Sequence, residues 1–231
     1  MRADAAERGL PPCSPRAEAR MALRSSNLRF VLTAIVASAA LSASPADLQS
    51  GASAASPDAE HGKILYLKHC VVCHRSRAWG DGPREIPAIA GQQRWYLIEQ
   101  LALFASGERQ GSLMHGPAMH DTLRKPDLSR PQAIADLAAF LASVPGNPEP
   151  EYSEGRALAA GRSTYALSCA GCHGSAGAGS ESVPAIGAQH YGYLLGQLHA
   201  FASGRRGHPT FLGLSGDQQE AVADYVSRLR P

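Results

Sequence analysis

Apolar residues recur at helical spacing through both halves of the chain, and no run alternates between apolar and polar residues as a β-strand does. One stripe consists of Tyr96, Leu97, Gln100, Leu101 and Phe104. Another consists of Ile134, Leu137, Ala138 and Leu141, with an expected counterpart at Val222, Tyr225, Val226 and Leu229. Segments 59–69 and 154–168 are also expected to be helical, with Ser153 and Glu154 suited to begin the second. The pattern predicts an all-α protein.

The two halves repeat one sequence. The matched pairs are Gly62 and Gly161, Tyr66 and Tyr165, Pro87 and Pro184, Gln92 and Gln189, Tyr96 and Tyr193, Gln100 and Gln197, and Arg109 and Arg206. A match of this extent indicates an internal duplication. We therefore expect two tandem domains, repeat 1 at residues 56–144 and repeat 2 at residues 153–231. Residues 145–152 between them contain three prolines and one glycine, which is typical of an exposed and fairly stiff linker.

Each repeat contains one Cys-x-x-Cys-His motif, at residues 70–74 and again ninety-nine residues later at residues 169–173. This is the attachment pattern of a c-type haem, in which two thiols bind one porphyrin edge and the histidine binds the iron. A zinc site would need two cysteine pairs close together, and a thioredoxin-like dithiol would follow a strand of a βαβ unit. Neither context is present in the sequence. We therefore predict two covalently bound haem c groups, attached through Cys70, Cys73, Cys169 and Cys172.

The motif histidines, His74 and His173, are the expected proximal iron ligands, so the distal ligands decide how the two sites differ. After the leader the chain has two methionines, Met114 and Met119, and both lie in repeat 1. They lie between the stripe that ends at Phe104 and the closing helix. Methionine also fills apolar gaps, but a thioether on iron opposite histidine would raise the reduction potential. We expect one of the two methionines to bind the iron of repeat 1.

Repeat 2 has no methionine, and its distal loop is shorter. Residues 109 and 140 are thirty-one positions apart, whereas their counterparts at 206 and 225 are only nineteen apart. Three arrangements are open. His208 binds the iron, giving a bis-histidine haem of lower potential, or the iron is five-coordinate and open to a small molecule. In the third arrangement His190 or His199 is the ligand. We predict His208 as the metal ligand.

The N-terminal region has the features of a secretory signal peptide that begins at Met21. Arg24 and Arg29 form its basic part, and the twelve-residue apolar run at 30–41 is well short of the ~20 residues of a spanning helix. We expect residues 1–55 to be leader and signal peptide and the mature protein to be periplasmic. An uncleaved signal that anchors the protein to the membrane is the alternative. Export fits covalent haem attachment, which bacteria carry out outside the cytoplasmic membrane.

The charge of the chain excludes one class of function. The formal net charge is +2, and residues 1–55 hold six Arg against four acidic residues, which leaves sixteen basic and sixteen acidic residues in 56–231. Proteins that bind nucleic acid show a basic excess or stripe, so we expect no nucleic-acid partner. A balanced charge also predicts weak long-range steering, so docking should depend on the local surface around a haem edge.

Two segments extend the argument beyond the motifs. Residues 86–92 (IPAIAGQ) and residues 183–189 (VPAIGAQ) resemble segments of two-domain dihaem cytochromes c of class I, the c-four (c4) type. The resemblance covers nearly all of residues 58–230. It implies an all-α protein of two tandem class I cytochrome c domains, each around one covalent haem, with the haems near the domain interface. It also implies that the carbonyls of Pro87 and Pro184 orient the proximal histidines.

The family keeps its distal methionine near the closing helix, which favours Met119 over Met114 as the ligand in repeat 1. Family members carry electrons from the quinol side of respiration toward terminal oxidases. We therefore expect a periplasmic electron carrier whose partners are redox proteins, namely a quinol-oxidising complex, a terminal oxidase or a dehydrogenase. Loose membrane association is compatible with this hypothesis.

Two other hypotheses remain open. A haem enzyme would use the methionine-less iron of repeat 2, with Arg205, Arg206 and His208 attracting an anion and moving protons. A cytochrome subunit of a larger oxidoreductase would share the same domains as a free carrier.

Overall fold

The computed structural model describes residues 56–109, 114, 116–210 and 213–231. The expected leader and signal peptide lie outside the described residues. Over the described ranges the chain is helical, with turns and one isolated bridge between Asp81 and Ile86 but no strand, which confirms the all-α prediction. None of the helices there has the length and apolar character needed to cross a membrane.

Repeat 1 contains five α-helices and a short 3-10 helix, Gly82–Arg84, within its described residues. The α-helices are α1 Ala59–His69, α2 Val71–His74, α3 Arg94–Ser106, α4 Pro117–Leu123 and α5 Pro131–Ser143. Repeat 2 contributes α6 Leu158–Ser168, α7 Ala170–His173, α8 Tyr191–Ala202 and α9 Gly216–Ser227. Helix α1 packs against α5, and α6 packs against α9. The first and last helices of each repeat therefore pair, with the Cys-x-x-Cys-His motif directly after the first.

A glycine lies at each helix crossing. A Cβ at Gly62 would lie 2.0 Å from the backbone oxygen of Asp136, and a Cβ at Gly161 would lie 2.1 Å from that of Ala221. Only glycine permits this approach of the two backbones. The paired glycines make Asp136 and Ala221 equivalent, so the closing helices align three residues away from the register that the apolar stripes suggested. Sliding one stripe by three residues, nearly one helical turn, leaves apolar residues on the same face of the helix. The apolar pattern therefore could not distinguish the two alignments.

The first helices of the two repeats begin differently. Asp58 caps α1, because its carboxylate accepts from the backbone N–H groups of Glu60 and His61. Helix α6 begins only at Leu158, so the expected start near Glu154 is wrong. The backbone N–H of Ser153 donates to the Asp224 carboxylate at 3.1 Å, which holds this segment against α9 instead of in a helix.

The buried cores of the two repeats differ in size. In repeat 1 the described cluster comprises Leu65, Tyr66, Ala78, Leu97, Leu128, Ala133, Leu137, Ala138 and Leu141. In repeat 2 it comprises Tyr165, Val222 and Val226, with partly buried residues packed around them. Cys70 and Cys169 each pack against the core of their own repeat. A covalent group at these cysteines would therefore complete both cores, and it would contribute the larger share in repeat 2.

The segment between the repeats is attached to repeat 1 rather than fully exposed. The Trp79 indole N–H donates to the Pro145 carbonyl at 2.9 Å, and the Asn147 amide donates to the Trp79 carbonyl at 3.4 Å. Asn147 and Pro150 are buried. The expectation of an exposed linker is therefore wrong at these positions, because the segment packs against the loop that contains Trp79.

Candidate haem-binding sites

The two motif histidines are held in the same way. Helix α1 ends at His69, and the short helix α2 places His74 so that its Nδ1 lies 3.0 Å from the Pro87 carbonyl oxygen. His173, at the end of α7, has its Nδ1 2.9 Å from the Pro184 carbonyl oxygen. A carbonyl only accepts, so Nδ1 carries the proton and Nε2 keeps its lone pair. Both imidazoles are thus prepared to bind a metal through Nε2, as the resemblance implied.

The surroundings also favour the neutral form of both imidazoles. Burial lowers the pKa of His74 and outweighs the opposing effect of its hydrogen bond to Pro87. Burial likewise lowers the pKa of His173, against the hydrogen bond to Pro184 and with a further lowering from nearby His208. A neutral imidazole is the form that binds iron.

Each motif presents one inner and one outer thiol. Cys70 and Cys169 are half-buried, whereas Cys73 and Cys172 are exposed, and all four are free of disulfide bonds. Burial, with a smaller effect from Cys73, raises the pKa of the Cys70 thiol to about 12. Burial and Cys172 raise the pKa of Cys169 as well. Free thiols at two depths beside a prepared histidine fit attachment of one porphyrin edge.

On the distal side of repeat 2, His208 faces His173. The two ring centroids are 6.4 Å apart, and the ring planes are inclined by 31°. Phe201 packs edge-on against the His208 ring at 4.9 Å. Nδ1 of His208 lies 3.0 Å from the Thr210 carbonyl oxygen, and the backbone nitrogen and hydroxyl oxygen of Thr210 lie 3.4 and 3.3 Å from the same Nδ1. Among the described residues Thr210 contacts only Nδ1 of this ring, which leaves Nε2 as the nitrogen available to a metal.

A cavity of about 480 Å³ adjoins His208. Its lining includes Leu198, Phe201, Leu214 and Gln219, which come from α8, α9 and the loop between them. A mostly apolar cavity of this size is typical of a cofactor site.

The distal side of repeat 1 is built differently. Helix α4 packs against α3 and contains Met119, and Met114 lies three residues before α4 begins. Both methionines are half-buried. Repeat 1 thus offers thioether sulfurs in the loop where repeat 2 offers an imidazole.

Paired polar side chains join the two repeats, which belong to one compact unit. Arg109 donates to the Tyr193 hydroxyl at 2.9 Å and to the Gln197 amide oxygen at 3.1 Å. Arg206 reciprocates by donating to the Tyr96 hydroxyl. These positions matched between the repeats in sequence, but their role was missed. The available signal was a duplicated tyrosine and glutamine on α3 and α8, followed in each repeat by a duplicated arginine just after the helix ends.

Two glutamines make a second reciprocal contact. The Gln92 amide group donates to the Ala185 carbonyl at 2.9 Å, and its oxygen accepts from the Ala185 N–H at 3.1 Å. Gln189 donates to the Ala88 carbonyl at 2.8 Å and accepts from the Ala88 N–H at 2.9 Å. In each repeat, a proline carbonyl bonds to the motif histidine. The glutamine of the other repeat binds the alanine that directly follows this proline.

The remaining candidate residues have other roles. His190 is buried between the repeats, where its Nε2 lies 2.7 Å from the Trp79 carbonyl oxygen and its Nδ1 accepts from the Glu151 N–H at 2.9 Å. His199 is exposed on α8. Arg205 is exposed and donates to the Ser203 hydroxyl at 3.0 Å, so only His208 of the predicted trio borders the cavity.

The residues present fit a haem with carboxylate side groups. Among the described residues, the buried Trp95 indole N–H and the buried Gln219 amide oxygen have no hydrogen-bond partner, and Gln219 lines the cavity of repeat 2. Arg109 is only 7% exposed, and no carboxylate among the described residues pairs with it or with Arg206. Buried charge without a counter-charge is costly. Haem propionates would supply an acceptor for the Trp95 N–H and negative charge for the arginines, whereas the Gln219 oxygen would need a donor.

Comparisons with known proteins agree with this geometry. Residues 59–145 match the cytochrome c family, and residues 156–226 match the family described as cytochrome c oxidase, cbb3-type, subunit III. A thiosulfate dehydrogenase electron acceptor from Thiomonas intermedia is 30% identical over 175 residues, which cover 68% of this chain and 77% of that protein. A cytochrome c4 from Pseudomonas aeruginosa is 32% identical over 145 residues, which cover 59% of this chain and 68% of that protein.

Solved structures extend the similarity to the fold. The reduced cytochrome c4 of Pseudomonas stutzeri superposes with a TM-score of 0.63 at 26% identity, covering 76% of this chain and 100% of that one. The thiosulfate dehydrogenase of Marichromatium purpuratum superposes with a TM-score of 0.62 at 26% identity, covering 73% of this chain but 39% of that one.

Proposed function

Because this chain belongs to the c-type cytochromes, in the group that includes cytochrome c4, and is an electron-transfer protein, we propose that it is a periplasmic dihaem carrier between respiratory redox partners. Each repeat would form one domain around one covalent haem c, with the boundaries expected from the sequence. Haem iron supplies a one-electron Fe(III)/Fe(II) couple. The protein holds that iron, sets its potential and presents its edge to a partner.

The proposed attachment residues are Cys70 and Cys73 in repeat 1 and Cys169 and Cys172 in repeat 2. His74 and His173 are the proposed proximal ligands, with Met119 and His208 as distal ligands. The hydrogen bonds from both proximal histidines to proline carbonyls support this assignment.

The separation of the His173 and His208 rings carries the bis-histidine assignment. A metal–imidazole bond is about 2.0 Å long, so two rings that bind one metal from opposite sides have centroids about 6 Å apart. The observed separation is 6.4 Å. With both Nδ1 atoms directed at carbonyls, the two Nε2 atoms are the ones free to bind. The distance and the two available Nε2 atoms therefore support one iron held by both rings.

This ligand set gives the carrier a direction. A methionine/histidine pair raises the reduction potential of a haem, whereas a bis-histidine pair lowers it. The repeat 1 site is then the stronger electron acceptor, and transfer from repeat 2 to repeat 1 is downhill. We propose that the donor docks at repeat 2 and the acceptor at repeat 1.

The donor we favour is a dehydrogenase of a reduced sulfur compound such as thiosulfate. The support is the similarity to the Thiomonas intermedia electron acceptor and to the Marichromatium purpuratum enzyme. A quinol-oxidising complex as donor and a terminal oxidase as acceptor are the alternatives. Mixing the purified cytochrome with a thiosulfate dehydrogenase and thiosulfate tests the proposal, and the expected result is reduction on a catalytic timescale, with electrons accumulating first on the higher-potential haem of repeat 1. Absence of reduction on a catalytic timescale would leave quinol-oxidising complexes as donors.

The enzyme hypothesis receives less support. It required Arg206 beside the substrate, but Arg206 is hydrogen-bonded to Tyr96 across the repeat interface. It also required an open iron, where His208 faces His173.

The test of the proposed cofactors and ligands is spectroscopic. Mass spectrometry of the mature protein is expected to show two haems, and redox-resolved magnetic circular dichroism is expected to show one methionine/histidine and one bis-histidine iron. Cyanide and carbon monoxide should leave the spectrum unchanged. A colourless protein would refute the proposal, and rapid ligand binding to the repeat 2 haem would restore the enzyme hypothesis.

A further inference from the structure

A chain of hydrogen bonds links each proximal histidine to the opposite repeat. In repeat 2, the peptide group between Pro184 and Ala185 accepts from His173 at its oxygen and donates from its nitrogen. That N–H reaches two glutamines of repeat 1, Gln92 at 3.1 Å and Gln93 at 2.8 Å. A single peptide unit therefore lies between the imidazole of one repeat and the side chains of the other.

Repeat 1 contains the mirror image. The peptide group between Pro87 and Ala88 accepts from His74 at 3.0 Å and donates to the Gln189 amide oxygen at 2.9 Å. Only one glutamine acts here, because His190 stands where Gln93 stands in repeat 1. The His190 ring contacts the Trp79 carbonyl and the Glu151 N–H instead.

We propose that these glutamines are positioning residues that tune the haem iron of the opposite repeat. The proposal rests on the proposed function, because it needs His74 and His173 on iron. An acceptor at a peptide N–H polarises the peptide, which makes its carbonyl a stronger acceptor. A stronger carbonyl acceptor draws the histidine proton and makes the imidazole a better donor to the metal. Ferric iron is thereby stabilised, and the reduction potential falls.

The tuning acts across the interface and is unequal. Gln189 lowers the potential of the repeat 1 haem through one hydrogen bond to the Ala88 N–H. Gln92 and Gln93 lower the potential of the repeat 2 haem through two hydrogen bonds to the Ala185 N–H. The extra hydrogen bond and the histidine distal ligand therefore both lower the reduction potential of the repeat 2 haem relative to that of the repeat 1 haem. The tuning also makes each potential depend on close contact between the repeats.

The experiment uses the holoprotein with Gln189→Leu and, separately, with Gln92→Leu and Gln93→Leu together. Two quantities are measured, the two reduction potentials and the exchange rate of the proximal Nδ1 protons in NMR spectra of the reduced protein. Gln189→Leu is expected to raise the potential of the repeat 1 haem and to speed exchange at His74, with smaller changes at His173. The double variant is expected to raise the potential of the repeat 2 haem and to speed exchange at His173, with smaller changes at His74.

Gln197→Leu is the matched control, since it removes a glutamine of the same interface that bonds Arg109 and Arg206 but neither peptide. It is expected to leave both Nδ1 exchange rates near those of the wild type. Gln189→Glu keeps the accepting oxygen, and it should keep His74 exchange slow even where the Leu variant is not recovered.

Three results would overturn the proposal. The first is that the Leu variants change neither the reduction potentials nor the Nδ1 exchange rates. The second is that they change only the haem of the repeat that carries the substitution. The third is that the control Gln197→Leu speeds Nδ1 exchange equally at both histidines. Each requires two haems to be present, so failure of this proposal is distinct from failure of the proposed cofactors.

Discussion

The proximal halves of the two repeats are nearly copies, whereas their distal halves differ in length, in secondary structure and in chemistry. Both proximal histidines bond to a proline carbonyl, at 3.0 and 2.9 Å. Distally, repeat 1 has helix α4 and two methionines, whereas the described residues between α8 and α9 contain no helix and include His208. The comparison teaches that the proximal half is constrained by helix crossings and by the interface, while the distal loop is free to change the ligand.

The largest expected effect comes from removing the attachment cysteines of one repeat at a time. Cys169→Ser with Cys172→Ser should leave one haem and unfold much of repeat 2, because its buried cluster is small. Cys70→Ser with Cys73→Ser should also leave one haem but keep more helix, because the cluster of repeat 1 is larger. Mass spectrometry and far-ultraviolet circular dichroism measure both effects. Equal losses of helix would contradict the comparison of the cores.

The next largest effect is expected when the distal ligand of repeat 2 is changed to that of repeat 1. His208→Met should raise the potential of the repeat 2 haem by on the order of 100 mV, a fraction of the ~0.8 V range that axial ligands span. The two potentials would then approach each other in a redox titration. His199→Met is the control, because His199 is exposed on α8, and it should change neither potential. A potential unaffected by His208→Met would mean that His208 is not a ligand.

A smaller effect tests what the repeats share. Gly161→Ala should destabilise repeat 2 by about 1–3 kcal/mol, because the added Cβ would lie 2.1 Å from the Ala221 oxygen. Gly62→Ala should act similarly on repeat 1, where the distance is 2.0 Å. Thermal unfolding followed at the Soret band measures both. Gly216→Ala at the start of α9 is the control, since a Cβ there would have no neighbour within 4 Å, and a comparable loss in this variant would contradict the crossing argument.

The smallest effect concerns the helix crossing of repeat 1, where the buried carboxylate of Asp136 lies at the position that Ala221 occupies in the crossing of repeat 2. Burial alone would raise the pKa of Asp136, but hydrogen bonds from His61 at 2.7 Å, the Asp58 backbone at 2.8 Å and Gln132 at 2.7 Å lower it below its ordinary value. A lowered pKa in the folded state means that the carboxylate stabilises the fold above about pH 4 and that this contribution is lost as the pH falls further.

Asp136→Asn should therefore cost about 1–2 kcal/mol at pH 7. The difference from wild type should shrink below pH 4, as denaturant unfolding at pH 7 and pH 3 would show. A difference that stayed constant over this range would mean that the ionised carboxylate is not what stabilises α1 against α5.

Some structural features followed from the sequence because they are local. The apolar spacing predicted helices, and the bounds expected for Ala59–His69 agree with α1. Other features did not follow. The apolar stripes of the closing helices were paired three residues out of register, although the comparison of the distal loops, which paired residue 140 with residue 225, agrees with the helix crossings. The start of α6 was placed too early, because the contact between Ser153 and Asp224 joins residues 71 positions apart.

The amino-acid sequence alone determined the motif chemistry, the duplication and the helical class, because a covalent attachment motif and a helical period are both written in neighbouring residues. Only the tertiary structure decided that His208 faces His173 and that glutamines of one repeat bind the proximal peptide of the other. These contacts join loops and helices whose approach depends on packing. Helical periodicity specifies which face of a helix is buried, but it does not specify what lies against that face.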